Sequence, residues 1–503
     1  MKNQTAEVSI AKYSKSILLL ILVIGMLLRL VWFFNGRSLW YDEACLATDI
    51  VRCDFYELLK PLVSGQSAPI PFLIITKQLF LILGHNDLVF RVFPLFSSLL
   101  SLLLFYRYCS FESNDILRII PFGLLSLSYR AIYYGGEFKP YGVDLLVTII
   151  LLNLYNEIRR PADMGIARKT GVILAVLLCV WFSYPSIFVI FAIIIALIFD
   201  FNRMGMDLKS IVRHNSLGLI IIFGAVSFIT EYMLVLRSTA SKSIYLDFWD
   251  PMFLKMPFSL ISVKQDTYLI YFLVQYPFQF MKILAVVFLI VFLIGLIAVL
   301  RTKKSEFIVF VLPIIFAGFA SVLHKYGFGD RLMLFATPLI CLLIGNGFQF
   351  VTDIISHKII IKPSVIVLIA LFCVLSAGMK SLDYIISPPV ISNMRPLLEK
   401  VKPVIGNGEF VFVHGSSLPE YRFYSSVDPG LLFENVVLDE NNPEEGIGIH
   451  LFNQIPPGGS CWLVLSKMGM PPYTEKENQV RFLGDITQRV EVPGSVAWQI
   501  KRR

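Results

Sequence analysis

Apolar residues in this chain fall in long uninterrupted runs rather than at amphipathic spacing. Residues 17–34, 283–300 and 307–323 each approach the roughly 20 apolar positions that carry a helix across a bilayer. The full set of candidate spans is 16–34, 89–107, 116–133, 143–157, 170–184, 186–200, 216–234, 280–300, 306–323, 331–349 and 364–379. Residues 68–84 are also apolar, but they begin Ala68-Pro69-Ile70-Pro71 and carry Lys77 and Gln78 midway. That pattern predicts a helix lying at the membrane surface. Residues 171–199 are too long for one helix, are divided by Pro185 and have basic residues at both ends, which predicts a short hairpin. The loops 35–88 and 237–279 are predicted to form surface helices. Tyr245, Phe248, Trp249 and Phe253 in the second suit the headgroup level.

After residue 379 the pattern changes. Apolar runs shorten to strand length at Glu409–Val413 and Trp462–Leu465. Helical patterns alternate with them at 394–404, 419–426, 444–454 and 473–484. The alternation predicts a soluble α/β domain with a mostly parallel sheet over 380–503. The fold class is therefore an all-α polytopic membrane protein with about eleven transmembrane helices and a C-terminal soluble α/β domain. Residues 1–379 form the membrane domain. No repeat of 20–50 residues is visible.

Composition agrees: 56% of the 503 residues are hydrophobic and 16% charged. This excludes a soluble enzyme, a disordered chain and a disulfide scaffold. The net charge of +8 does not indicate nucleic acid, because the basic residues cluster between apolar runs. The clusters Arg159/Arg160/Arg168/Lys169, Arg203/Lys209/Arg213, Arg301/Lys303/Lys304 and Lys358/Lys362 all fall on one side if eleven spans start from a cytoplasmic N-terminus. The C-terminal domain is then extracytoplasmic. The N-terminus (Lys2, Lys12, Lys15, then an apolar run) lacks a small-residue cleavage site and reads as a retained first span. Of the seven cysteines, only Cys45 and Cys53 are placed to pair outside the membrane. No metal-type spacing, P-loop, GxSxG or HExxH occurs in a suitable context. No cofactor is expected, and a divalent metal is not supported by the sequence. His85 and His414 are isolated.

Three loops on the outer side carry the candidate chemistry. The first reads Ser38-Leu39-Trp40-Tyr41-Asp42-Glu43-Ala44, two acids behind two aromatics near the water–lipid boundary. A carboxylate there stays ionised while partly desolvated, as a general base requires; an interfacial anchor is the plainer reading. The second, Tyr133–Gly142, holds Glu137 and Lys139 in alternation, with glycines that permit close approach to a ligand. Asp144 follows just inside a span, a functional candidate by its depth. The third, His324–Arg331, gathers cations that could hold a phosphate. At ~4 Å and an effective dielectric near 20, each is worth about 4 kcal/mol against one negative charge, before desolvation. The alternative is snorkelling toward lipid headgroups. Arg29, Arg91 and Glu231, near span ends, read as structural pairs or snorkellers.

Together these loops resemble the C-type glycosyltransferases (GT-C), in particular the family-39-like branch with the protein O-mannosyltransferases and the lipid A aminoarabinose transferase. The resemblance rests on Asp42-Glu43 in the first outer loop, the Ala68-Pro69-Ile70-Pro71 segment, the Glu137/Lys139/Tyr141 element, and Arg331 with Pro338 at a late span start. It covers about residues 15–350 in order. Where the family carries His or Lys before Pro-Pro, this chain has Ser67-Ala68-Pro69.

The resemblance implies transfer of a sugar from a polyprenyl-phosphate donor to an acceptor hydroxyl on the outer face of the cytoplasmic (inner) membrane, with inversion. The acceptor would be a glycan, a lipid or a protein. Asp42 is then the expected base, and Glu43 or Glu137 orients the acceptor or holds Lys139. Lys139, Arg331 and, more weakly, His324 meet the donor phosphate. Tyr141, Trp40 and Asp144 contact substrate. The prenyl chain would lie between spans, among membrane lipids. The competing readings are a transporter or flippase for a lipid-linked or polar substrate, and a catalytically silent scaffold. Against the first stand the absence of half-to-half similarity and the gathering of charge at one face.

Overall fold

The computed structural model describes residues 2–112, 115–160, 164–213, 217–236, 249–256, 258–280, 282–358, 363–388, 390–406, 408–439, 455–456, 458–466 and 474–503. Every apolar run becomes a helix, because a helix satisfies its own backbone hydrogen bonds where water is absent. The membrane part comprises α1 (Lys2–Phe34), α4 (Asp87–Ser110), α5 (Asp115–Ser126), α6 (Tyr129–Tyr133), α7 (Tyr141–Ile158), α8 (Ile166–Phe182), α9 (Ser186–Arg203) and α11 (Leu217–Glu231). It continues with α13 (Lys282–Thr302), α14 (Lys304–Val322), α15 (Thr337–Lys358) and α16 (Pro363–Ile386). Between them lie α2 (Tyr41–Arg52), α3 (Ile70–Leu83), α10 (Leu208–Arg213) and α12 (Leu260–Gln275).

Eight helices among the described residues are long and apolar enough to cross a membrane, and the bent pair α5–α6 makes a ninth. α8 and α16 complete the eleven predicted segments as helices of 17 and 24 residues. The 51° bend between α5 and α6 falls at Ser128. Its hydroxyl caps α6 by accepting from the Ala131 N–H and donates to the Pro277 carbonyl at 2.7 Å. Large apolar side chains on α1, α13 and α14 (Leu20, Leu27, Ile290, Ile315, Phe319) point outward, as lipid contact demands.

Small residues let the spans close up. A Cβ on Gly295 of α13 would stand 2.0 Å from the Leu343 carbonyl oxygen, and one on Gly347 of α15 would stand 2.0 Å from that of Val291. The two helices pack backbone against backbone.

α3 is 14 residues long, about 21 Å at 1.5 Å per residue, too short for the roughly 30 Å hydrocarbon core. Its Lys77 is buried and donates to the carbonyls of Ile50 (2.7 Å) and Val51 (3.2 Å), at the C-terminal end of α2. The cation satisfies open carbonyls and the helix dipole there. α2 and α3 are thus the helices of the first loop, and α12 lies in the second. Tyr245 and Phe248 lie outside the described residues.

The C-terminal part contains α17 (Met394–Val401), β1 (Phe410–Val413), α18 (Leu418–Val427), β2 (Val436–Leu438), β3 (Ser460–Ser466), α19 (Thr474–Leu483), β4 (Gly484–Val492) and β5 (Ser495–Arg502). The sheet order is β2-β1-β3-β5-β4. β1 runs parallel to both β2 and β3, but β3/β5 and β5/β4 are antiparallel. The expected mostly parallel sheet is therefore mixed. The last two strands form a hairpin turned at Gly494 (φ +79°), which brings the final strand back beside β3. The helical pattern at 444–454 lies outside the described residues. Trp462 and Trp498 are buried in the sheet core.

Cys45 and Cys53 are both free thiols. They sit eight positions apart along α2 and its C-cap, about 12 Å by helical rise, beyond disulfide reach. The one pairing the sequence left open does not form.

Candidate active site

The chain leaves α1 through Gly36 and runs extended into α2, whose N-cap is Trp40. The two adjacent acids of α2 then part company, since neighbouring helical positions point about 100° apart. Glu43 turns inward and is fully buried. Arg91 of α4 grips it with two hydrogen bonds of 2.9 and 2.6 Å, and the Phe138 N–H adds a third at 2.6 Å. The Trp40 N–H donates to it at 3.4 Å. Burial works to raise the Glu43 carboxyl. The charge and hydrogen bonds of Arg91 outweigh it, with help from Arg37 and the Phe138 N–H, and hold the group below the usual glutamate value. A carboxylate with this many donors is an anchor. Arg91 extends the anchor by donating to the carbonyls of Arg37 (2.6 Å) and Ser38 (3.3 Å).

Asp42 turns the other way. Its Oδ2 lies 3.0 Å from Nη1 of Arg331, and both side chains keep some exposure. Arg331 enters from the turn before α15, 289 residues away in sequence. Its guanidinium lies 5.6 Å from the Tyr141 ring and 5.4 Å from the Trp249 ring, positions that hold it by cation–π attraction. Its Nε is buried with no hydrogen-bond partner among the described residues.

The second loop closes the site. Glu137 accepts from the indole N–H of Trp40 and lies 3.5 Å from Arg37. Burial raises its carboxyl above the ordinary value and the charge of Glu43 adds to this, while Arg37 offsets part. Lys139 is buried and donates to Oε1 of Gln66 at 2.6 Å. Burial pulls its ammonium below the ordinary lysine value, and the negative charge of Asp42 resists this. Glu137 thus meets Trp40 and Arg37, and Lys139 meets Gln66. The glycines serve packing: a Cβ on Gly135 or Gly136 would collide with Ser98 or Trp32 at 2.6 and 2.5 Å.

The structure therefore brings Asp42, Arg331, Tyr141, Lys139, Trp40 and Glu137 to one end of the bundle. His324 is exposed, and its ring packs on Phe253 at 4.9 Å. Asp144 lies one turn below Tyr141 on α7 and is buried. Sequence reasoning missed Arg37, Gln66 and Tyr424. The Tyr424 hydroxyl, from α18 of the sheet domain, accepts from the Leu39 N–H at 2.7 Å and donates to Asp87 at 3.0 Å. Arg395 also meets Asp87, at 3.1 Å. None of these residues carries a local motif. Among the described residues no group of three or more His, Cys, Asp or Glu is arranged to hold a metal ion.

This bundle of apolar spans, with α2 and α3 at its charged end and a small sheet domain after it, resembles solved structures over nearly its whole length. The solved structures it resembles include ArnT from Cupriavidus metallidurans. In the form bound to undecaprenyl phosphate the TM-score is 0.53 at 12% identity, covering 96% of this chain and 97% of that one. In the apo state the TM-score is 0.50 at 11% identity, with the same coverage. No family model and no curated protein matches the sequence.

Proposed function

We propose that the protein is a glycosyltransferase that moves a sugar from a polyprenyl-phosphate donor to an acceptor hydroxyl, with inversion. It acts at the extracytoplasmic face of the cytoplasmic membrane. The observation that carries this reading is the Asp42–Arg331 pair beside Lys139, assembled from three distant loops at one end of a membrane-embedded fold. That fold is shared with a protein solved with undecaprenyl phosphate bound. The sidedness follows from the basic clusters, which put this end opposite the cytoplasm.

The chemistry asks for two things. A phosphate leaving group needs cations as its charge develops, and an attacking hydroxyl needs a base. Arg331 and Lys139 supply the cations. The Nε–H of Arg331 has no partner among the described residues and is open to a phosphate oxygen, and the Lys139 ammonium lies in a buried setting where each interaction gains strength. Asp42 supplies the base. Without donor, Arg331 occupies its carboxylate. An arriving phosphate competes for that guanidinium and turns Asp42 toward the acceptor. Glu43 is held by Arg91 and Glu137 by Trp40 and Arg37, so both set the frame rather than move protons. Direct attack from the face opposite the phosphate inverts the anomeric centre, as in an inverting glycosidase with an acceptor hydroxyl in place of water.

The test uses membrane vesicles, labelled polyprenyl-phosphate sugars and a crude acceptor mixture. Asp42→Asn should lower transfer by about 10²–10⁴-fold with expression and donor binding retained. Full activity in that variant would eliminate Asp42 as the base.

A further inference from the structure

α7, α8, α9 and α11 pack together beside the site. Two carboxyl groups lie between them, Asp144 of α7 at 6% exposure and Glu231 of α11 at 1%. The two are close enough to act on each other electrostatically, and no basic side chain among the described residues acts on either. Both oxygens of Glu231 are buried with no hydrogen-bond partner among the described residues. The contrast with Glu43 is sharp: that buried carboxylate has a bidentate arginine and two backbone N–H groups, whereas Glu231 has none of these.

Other polar groups lie near these carboxyls. The turn between α8 and α9 brings Ser183 beside Asp144. Tyr184 acts electrostatically with both carboxyls, and its hydroxyl lies 3.5 Å from that of Ser67. The Ser186 hydroxyl is buried with no hydrogen-bond partner among the described residues. Ser67 directly follows Gln66, the partner of Lys139. Tyr141, whose ring lies against Arg331, is one helical turn before Asp144. These polar groups therefore run on from the cationic end of the site.

A buried carboxyl without a partner is costly, and inside a membrane it marks a substrate path by default. What would satisfy this one must bring hydrogen-bond donors. A metal ion finds no third acidic, histidine or cysteine ligand among the described residues. A sugar ring brings several hydroxyls, each able to donate to a carboxyl oxygen and accept from a serine or tyrosine.

We propose that Asp144, Glu231, Ser186 and Tyr184 form the sugar-ring subsite of the donor, which takes a hydroxyl-bearing, non-anionic ring and rejects a uronic acid. A ring carboxylate would face two carboxyls on which no basic side chain among the described residues acts. The proposal rests on the transferase reading above.

The experiment uses the full chain in phospholipid nanodiscs. Ligands are bare polyprenyl phosphate, the same carrier loaded with glucose, mannose or arabinose, and the carrier loaded with glucuronate. At least one neutral sugar should tighten binding tenfold or more over the bare carrier, and glucuronate should not. Glu231→Leu should erase the gain, keep bare-carrier affinity and raise the melting temperature, because it removes an unsatisfied buried group. Ser186→Ala, a milder truncation, should cut the gain several-fold. If the bare carrier binds and no neutral sugar adds affinity, the subsite is wrong and the transferase reading stands. The subsite is equally wrong if glucuronate binds as well as the best neutral sugar, or if Glu231→Leu keeps the gain or lowers the melting temperature. If neither bare nor loaded carrier binds, the transferase reading falls and the subsite with it.

Discussion

Replacing Arg91 by Met tests the division of labour between the two adjacent acids. Arg91 makes two hydrogen bonds to Glu43, at 2.9 and 2.6 Å, and two to backbone carbonyls at 2.6 and 3.3 Å. Met fills similar volume and offers no donor, so a fully buried carboxylate keeps only the Phe138 and Trp40 N–H groups. Breaking a buried pair from one side costs about 3–5 kcal/mol, because the remaining charge is uncompensated. In a chain of this length each kcal/mol moves the melting temperature by about 1–2 °C, so a fall of about 3–10 °C is expected. The assay is thermal unfolding of the protein in nanodiscs, read by intrinsic fluorescence. The double variant Glu43→Leu, Arg91→Met removes both charges and should recover most of the loss. An Arg91→Met protein that melts within about 1 °C of wild type would refute the anchor. So would a double variant no more stable than the single one.

Lys139 carries a pH dependence. Its ammonium is buried, and its pKa lies below the ordinary 10.5. The proton leaves the folded chain at lower pH than it leaves the unfolded one, so this group's contribution to stability rises with pH between those two values. Donor binding runs the other way and weakens as pH climbs through the lowered value. Lys139→Arg should flatten that binding profile, and an unchanged profile would remove the lysine from the donor site. Tyr424→Phe deprives the Leu39 N–H of its acceptor and Asp87 of a donor; a loss of about 1–3 kcal/mol and slower transfer are expected, measured by unfolding and by turnover. Gly347→Ala puts a methyl group 2.0 Å from a backbone oxygen and should cost about 1–3 kcal/mol or more by overpacking, visible as a lower melting temperature and reduced yield.

Much of the bundle was legible because hydrophobicity is a local signal. All eleven candidate spans are helices, while the burial of Lys77 of α3 against the end of α2 is something no apolar count would reveal. The motif residues were also legible, and three loops do converge. What could not be read were pairings across distance. Asp42 and Glu43 look alike in sequence, and only the 48-residue reach to Arg91 assigns Glu43 its role. Lys139 finds Gln66 at a separation of 73 residues, where a neighbouring glutamate seemed the natural partner. The sheet differs from the expectation for a local reason: Gly484–Val492 is a half-exposed strand of the kind that pairs antiparallel, and the polar run Thr487-Gln488-Arg489 hides its alternation in the sequence.

The hydrogen bond from Leu39 to Tyr424 spans 385 residues of chain. During synthesis at about 5–20 residues per second, that interval takes roughly 20–80 seconds. Throughout it the segment that carries Asp42 has been made and lacks its clasp. Only when the last domain has been made and folded does α18 reach back to fix the segment. The clasp makes completion of the chain a condition for a finished site, so an unfinished or truncated copy carries the acid without the geometry to use it.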